Sequence, residues 1–143
     1  MVFGPPCHPP AIIATVAGGY ENMATDEVIF RSCRQGTTPP TLRLYGWEPP
    51  AVSLGYFQKL ESAVDAEECR RRGIDVVRRM TGGRAVLHHL ELTYAVVAPL
   101  GRGPLPLSLQ DTYRRLCGAL VRACITLGVP ASLTSGEVNL HLP

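Results

Sequence analysis

The stretch VVRRMTGGRAVLHHLELTYAVV, residues 76–97, holds the features that decide the fold. Strand-like apolar runs flank two adjacent arginines, a Gly-Gly pair and two adjacent histidines. Apolar residues that alternate with a period of two predict strands over 74–79, 84–88 and 91–98. Because the last two strands are separated by only a short connection, we expect them to pair in antiparallel fashion. The stretch therefore predicts a sheet that carries an unusual density of polar groups.

Further helices and strands on both sides of this stretch are predicted from the periodicity of apolar residues and from the glycines and prolines that end these elements. The predicted strands are 11–17, 41–47 and 51–57, and the predicted helices are 21–35, 61–72 and 109–127. Since strands and helices do not alternate strictly, the pattern favours the α+β class. We expect a mixed, largely antiparallel sheet with helices packed on it.

The composition narrows the functional classes. A chain of 143 residues with 45% hydrophobic and 18% charged residues is typical of one folded domain. The net charge of +2 is too small to favour nucleic acid, and no apolar run is long enough to span a membrane. The start of the chain lacks the features of a signal peptide, and five cysteines without a CxxC spacing predict reduced thiols. We therefore expect a cytoplasmic protein with neither a nucleic-acid nor a membrane partner.

Charged residues at apolar positions are the first site candidates. Asp26 falls on the apolar stripe of the helix predicted over 21–35, so it lies either at the helix edge in contact with water or buried against a backbone turn or an arginine. Arg78 and Arg79 are adjacent on a strand and point to opposite faces, so one of them leaves the solvent side. Its anionic partner is either Asp26 or Asp75, or a carboxylate, phosphate or carbonyl group of a ligand.

The glycines and histidines are the second group of candidates. Residues 81–83 follow a strand directly, where Gly-Gly permits positive φ and successive N–H groups can form a small anion-binding nest. His88 and His89 face opposite ways on a strand, which disfavours a shared metal ion, and we predict no metal site. His88 shares a face with Arg84 and Val86, so the glycines and this histidine are expected to line one pocket.

Three blocks of the sequence resemble the lipoate–protein ligase, octanoyltransferase and biotin–protein ligase superfamily, in the same order. The blocks are ENMATDEVIFRS at 21–32, PPTLRLYGWEPPAVSLGYFQ at 39–58 and GIDVVRRMTGGRAVLHHLELTYAVV at 73–97. The resemblance runs over about residues 11–128. GYFQ at 55–58 and ELTY at 91–94 look most like the LipM-type octanoyltransferases.

The resemblance implies a fold similar to the catalytic domain of biotin synthetase and class II aminoacyl-tRNA synthetases. It implies transfer of an octanoyl group, without a cofactor, from octanoyl-acyl carrier protein to an enzyme cysteine and then to a lysine of a lipoyl-domain protein, such as glycine cleavage protein H. The residues that it implies for acyl-substrate binding are Arg78, Arg79, Thr81, Gly82, Gly83, Arg84, Ala85 and His88.

The sequence departs from the family pattern at its nucleophile. The family's cysteine and assisting lysine come after the matched region, no cysteine here has a matching position, and Lys59 is the only lysine. We therefore expect residues 1–143 to form a single, incomplete catalytic domain in which no catalytic residue is identified. One alternative is the N-terminal part of a lipoate– or biotin–protein ligase that uses ATP and a downstream lysine. The other is an inactive module that binds an acyl group or a partner.

Overall fold

A computed structural model describes residues 11–101 and 105–133, which belong to two compact units that meet between Ala98 and Pro99 in the sequence. The amino-terminal residues on which the expectation about a signal peptide rests lie outside the described residues, as does Cys7. The second unit contains α4 (Leu109–Thr126). The first unit contains, in chain order, β1 (Ala11–Ala17), α1 (Gly19–Gln35), β2 (Thr41–Trp47), β3 (Ala51–Leu54), α2 (Leu60–Ala63), α3 (Ala66–Arg71), β4 (Asp75–Arg78), β5 (Val86–His88) and β6 (Thr93–Val97).

The strands form two three-stranded mixed sheets, and the predicted α+β class is confirmed. In the first sheet, with order β1-β2-β6, β2 runs parallel to β1 and antiparallel to β6. In the second sheet, with order β4-β3-β5, β3 runs parallel to β4 and antiparallel to β5. Parallel and antiparallel pairings are thus equally represented among the described strands, whereas the sequence predicted a largely antiparallel sheet.

The predicted pairing of the strands on either side of residue 90 is wrong. β5 pairs with β3 and β6 pairs with β2, so the two strands belong to different sheets. Leu90 has a φ of 53° in the connection between them, and β6 begins at Thr93 rather than at Glu91. This connection carries the chain from one sheet to the other, and its Glu91 carboxylate accepts hydrogen bonds from side chains of both sheets.

Helix ends follow the local sequence signals. Gly36 ends α1 with a φ of 74°, and the Ser108 hydroxyl accepts a hydrogen bond from the Asp111 N–H at 3.3 Å at the start of α4. The helix predicted over 61–72 is instead two helices, because Val64 is extended and the Asp65 carboxylate caps a new helix. Among the described residues, no helix combines the length and the apolar character that a membrane crossing requires.

Helix α1 packs against both sheets and thereby fixes the surroundings of the candidate site. Its first residue, Gly19, is so close to the second sheet that a Cβ atom there would lie 3.1 Å from the Cβ of Ala51 and from Val77. One turn later, the Asn22 side-chain amide donates hydrogen bonds to the carbonyls of Ala17 and Gly46, both at 3.0 Å, at the ends of β1 and β2. The apolar core beside this helix consists of Tyr45, Trp47, Ala51 and Val77, with Met23 and Ala95 packed against it.

Candidate functional site

Two loops interlock at the end of the second sheet. We call residues 55–58 the aromatic loop and residues 80–85 the glycine loop. The Tyr56 N–H donates to the Thr81 carbonyl at 2.9 Å. Gly55 lies against Gly83 so closely that a Cβ atom on Gly55 would be 1.9 Å from the Gly83 carbonyl oxygen. Only glycine permits this approach, so the two loops form one structural unit.

Arg78, at the end of β4, holds the aromatic loop. Its Nη1 donates to three backbone carbonyls of that loop, those of Gly55 at 2.8 Å, Tyr56 at 2.9 Å and Gln58 at 2.7 Å. The two N–H bonds of this charged nitrogen reach three carbonyls, so one hydrogen is shared, and together they fix the backbone of a loop that has little secondary structure of its own. The side chain that the sequence predicted as a ligand contact therefore acts on the protein backbone.

Arg79 holds the glycine loop in the same way. Its Nη2 donates to the carbonyls of Gly82 at 2.8 Å and Arg84 at 2.7 Å, while its Nη1 donates to the Ser53 carbonyl at 2.8 Å and the Ser53 hydroxyl at 3.1 Å. Burial lowers the pKa of Arg79. An arginine nevertheless keeps its charge in proteins, so a cation lies directly beneath the glycine loop.

The two predicted carboxylate partners of these arginines are engaged elsewhere. Asp26 pairs with Arg43 at 2.8 Å, and the Asp75 carboxylate accepts the Gly19 N–H at 3.0 Å. Among the residues that the structure describes, no carboxylate is in ion-pair distance of Arg78 or Arg79. The interpretation in which a protein carboxylate neutralises one of them is thus wrong. Both guanidinium groups instead donate to backbone carbonyl oxygens.

The glycine loop presents backbone donors at the surface. Thr81, Gly82, Gly83 and Arg84 are exposed, and Ala85 is partly buried. The N–H groups of Gly82 and Gly83 make no hydrogen bond with any other described residue. A φ of 97° at Gly83 turns the backbone out of the conformations that other residues favour. Exposed N–H donors above the Arg79 guanidinium can receive a carbonyl oxygen or an anion.

His88 lies inside the protein rather than on the wall of a pocket. It is 7% exposed, and its ring stacks on Trp47 with the centroids 4.0 Å apart. Its Nε2 lies 2.7 Å from the Ser53 hydroxyl oxygen, and its Nδ1 lies 2.5 Å from the Glu91 carboxylate. Burial raises the pKa of Glu91, but hydrogen bonds from His88 and Thr93 outweigh this effect and the pKa of Glu91 lies below its ordinary value.

The set Ser53–His88–Glu91 has the hydrogen-bond order of a nucleophilic triad but not its accessibility. Ser53 is 1% exposed, and its hydroxyl oxygen accepts from Arg79 while its proton is available to His88 Nε2. A substrate carbonyl has no path to this oxygen. The set instead links β3, β5 and the connection that precedes β6 to the arginine that holds the glycine loop. Sequence reasoning missed Ser53 and Glu91 because the strand pairing that brings them to His88 is long-range.

We expect Ser53→Ala to lower the free energy of unfolding by about 2 kcal/mol, because it removes the shared partner of His88 and Arg79 in a buried place. Urea unfolding measures the change. Ser62→Ala is the matched control, since its exposed hydroxyl donates only to the Lys59 carbonyl at 3.2 Å. Equal losses in the two variants would contradict a shared role for the Ser53 hydroxyl.

A second buried polar cluster joins α1 to the first sheet. Arg43 is 2% exposed, pairs with Asp26, and donates at 2.9 Å to the Asn22 carbonyl. The Tyr45 hydroxyl donates to the other Asp26 oxygen at 2.9 Å, and burial followed by the nearby Asp26 charge raises the pKa of Tyr45. Of the two predicted positions for Asp26, the inward one with an arginine partner is therefore correct. The period-two alignment of Arg43 with Tyr45 and Trp47 was the available signal for the arginine.

A cleft of about 710 Å³ opens on the second sheet, on the face that points away from Ser53 and His88. Apolar side chains such as Leu54, Ile74 and Val76 line it, with Tyr20 at its margin. Of the residues predicted for acyl binding, only Arg78 contributes to it. The cleft is thus separate from the glycine loop.

The fold is shared with solved lipoate–protein ligases. The chain is similar to a lipoate–protein ligase A bound with ATP, with a TM-score of 0.75 and 32% identity over 93% of this chain and 52% of that chain. It is also similar to the bi-partite lipoate protein ligase from Thermoplasma acidophilum, with a TM-score of 0.72 and 30% identity over 90% of this chain and 49% of that chain. These matches place the chain in the class of lipoate–protein ligase folds.

The sequence comparison identifies the family. Residues 18–139 match the lipoyl protein ligase A/B catalytic domain, and the chain belongs to this family. It is 49% identical to the octanoyltransferase LipM of Moorella thermoacetica over 85% of this chain and 45% of that protein. It is also 49% identical to LipM of Symbiobacterium thermophilum, over 83% of this chain and 43% of that protein. The chain thus spans less than half the length of these relatives.

Proposed function

We propose that this chain is the acyl-binding part of an octanoyltransferase of lipoate synthesis. The observation that carries the proposal is the glycine loop, whose exposed Gly82 and Gly83 N–H groups lie above the charged Arg79. A thioester carbonyl oxygen gains negative charge when a nucleophile attacks it, and backbone donors beside a fixed cation stabilise such charge. Identity of 49% to an octanoyltransferase LipM supports an octanoyl group as the acyl group of the proposal.

The proposed reaction has two steps. A cysteine thiolate attacks the thioester carbonyl of octanoyl-acyl carrier protein, the new thioester forms, and the carrier thiol leaves. The amine of a lysine on a lipoyl-domain protein then attacks this thioester, an amide forms, and the cysteine thiol is released. The described cysteines lie on α1, α3 and α4, at positions 33, 69, 117 and 124. As the family resemblance implies, we assign the nucleophile to a cysteine that follows the matched region in the longer relatives.

Within this proposal the predicted site residues have two tasks. Thr81, Gly82, Gly83, Arg84 and Ala85 contact the acyl thioester through the glycine loop. Arg79 acts on the substrate through this loop, and Arg78 acts through the aromatic loop that interlocks with it, because both guanidinium groups donate to loop carbonyls. His88 acts indirectly, through its contacts with Ser53 and Glu91. No cofactor is required for either transfer step.

The test of this proposal is whether the chain distinguishes octanoyl-acyl carrier protein from the same carrier without an acyl group. We expect the octanoyl form to bind at least about tenfold more tightly in a calorimetric titration, a difference that a few buried CH₂ groups supply. Gly82→Val should weaken this preference, since the added side chain covers the N–H groups that receive the thioester carbonyl oxygen. Equal affinity for both carriers would refute the acyl-binding role.

The second candidate, an ATP-dependent lipoate ligase, is favoured by the structural match to a ligase bound with ATP. It makes a distinct prediction, namely exchange of pyrophosphate into ATP when lipoate or octanoate is present. We expect no exchange from this chain. Exchange above the background of a chain-free control would establish adenylate chemistry and replace the transferase assignment.

A further inference from the structure

We propose that the aromatic loop, together with the cations that border it, is a docking surface for an acidic protein domain. In the proposed reaction this domain is the carrier that delivers the acyl group, so the choice of partner rests on the proposed function. The loop has exposed aromatic side chains, a backbone held by hydrogen bonds, and basic residues around it.

The first observation is an exposed aromatic pair. Phe57 is 87% exposed and Tyr56 is 55% exposed, and their rings meet edge to face with centroids 5.0 Å apart. Met80, at the start of the interlocked glycine loop, is 40% exposed. Aromatic and methionine side chains are the types that protein interfaces enrich, and a cluster of them at the surface is a mark of an interaction site.

The second observation is that the backbone beneath these side chains is fixed. Arg78 donates to the carbonyls of Gly55, Tyr56 and Gln58, and the Gly55 N–H donates to the Gln58 side-chain oxygen at 3.0 Å. An exposed loop that is held by this many bonds presents its side chains in one arrangement. Since less conformational entropy is then lost on association, such a loop is well suited to binding.

The third observation is the sign of the local charge. Residues 51–60 and 76–90, which contain both loops and all of their strand residues except Asp75, include Lys59, Arg78, Arg79 and Arg84 but no aspartate or glutamate. The next carboxylates along the chain are Glu48, Glu61 on α2, Asp75, which accepts the Gly19 N–H, and Glu91, which is bonded to His88. The two segments that carry the aromatic pair and the glycine loop are therefore positively charged, although the whole chain carries only +2. Such a surface is complementary to an acidic partner.

Charge and shape together favour a protein partner over nucleic acid. Nucleic-acid surfaces combine an extended array of cations with open aromatic faces on which bases stack. Here the cations are few, and the edge-to-face contact between Tyr56 and Phe57 uses a ring face within the pair. A small acidic domain with an apolar patch satisfies both the aromatic and the cationic side chains.

The experiment titrates the chain with acyl carrier protein that carries no acyl group, so that acyl recognition does not contribute. We expect Phe57→Ser to weaken binding roughly tenfold, as loss of an interface aromatic does, and Lys59→Glu to weaken it roughly tenfold at low salt. Affinity of the unaltered chain should fall as salt is raised from about 50 to 500 mM, since salt screens exposed charges.

Two control variants match these changes in chemistry but lie on α1. Tyr20→Ser removes a 67% exposed aromatic ring and serves as the control for a parallel Tyr56→Ser variant. Arg34→Glu, on the last turn of α1, changes the net charge by the same two units as Lys59→Glu. We expect both controls to bind the carrier as the unaltered chain does.

The outcomes separate this proposal from the proposed function. Weakening in the loop variants but not in the controls supports the docking surface, even if an octanoyl group adds nothing to affinity and the acyl-binding role fails. Binding that the loop variants leave unchanged overturns the docking surface, even if the octanoyl carrier is preferred. Absence of carrier binding, or tighter binding of a single-stranded oligonucleotide than of the carrier, also overturns it.

Discussion

Gly55→Ala is expected to separate the aromatic loop from the glycine loop and to lower the free energy of unfolding by about 3 kcal/mol. The added methyl carbon would lie 1.9 Å from the Gly83 carbonyl oxygen and 2.8 Å from the Gly83 carbonyl carbon. Both atoms belong to backbone that Arg79 and the Tyr56 N–H hold in place, so neither can move without breaking hydrogen bonds. Gly55 does not have a positive φ, so the cost is steric overlap rather than backbone strain.

Gly82→Ala is the matched control for this experiment. A Cβ atom at Gly82 would meet no atom within 4 Å, so we expect a change in unfolding free energy below about 1 kcal/mol. Urea unfolding of both variants measures the difference, and titration with octanoyl-acyl carrier protein measures its effect on the site. A Gly55→Ala protein that is as stable as Gly82→Ala would contradict the interlocking of the two loops.

The sequence contains enough local information to predict the helices and strands but not which strands pair with each other. The run 41–47 is a strand by alternation alone, and the Ser108 cap fixes the start of α4. The pairing of β5 with β3 instead of β6 depends on contacts between residues that are distant in the chain. Two strands that are close in the sequence are expected to pair as a hairpin. Here each of them pairs with a distant strand instead, so that they belong to two separate sheets.

The candidate site shows the same division between local and long-range information. The glycine pair and the adjacent arginines identify the place, because each residue type has a distinct physical use on a strand end. The hydrogen-bond partners of the two arginines are backbone carbonyls in the aromatic loop and the glycine loop. Every residue has a backbone carbonyl, so the sequence does not indicate which ones are bound. The contact of Ser53 with His88 likewise requires the register of β3 against β5, in which Ser53 is opposite Val86.

The role of Arg43 follows from a conflict between pattern and burial. On β2 the residues of one face are Thr41, Arg43, Tyr45 and Trp47, and this face is the buried one. Hydrophobicity alone would predict that Leu42 and Leu44 are on the buried face instead. Helix α1 reverses this outcome because its Asn22 and Asp26 supply the acceptors that a buried guanidinium requires. Arg43 also lies over the Tyr45 ring at 3.9 Å, which adds a cation–π contact.

Asp26→Ala is expected to lower the free energy of unfolding by about 3–5 kcal/mol, because it leaves the Arg43 charge buried without its counter-ion. Arg43 is 2% exposed and Asp26 also accepts from Tyr45, so water cannot replace the lost carboxylate without opening the contact between α1 and β2. Glu27→Ala is the matched control one residue later, since its ion pair with Arg31 is exposed and should contribute less than about 1 kcal/mol.

A double variant distinguishes a true pair from two independent losses of packing. Replacing both charges, as Asp26→Leu with Arg43→Met, removes the buried cation together with its counter-ion. We therefore expect the double variant to be more stable than the sum of the two single losses predicts, by at least about 1 kcal/mol. Denaturant unfolding of the four proteins in this cycle gives the coupling energy. Strict additivity would mean that the α1 contact with the first sheet depends on the shape of these side chains rather than on their charges.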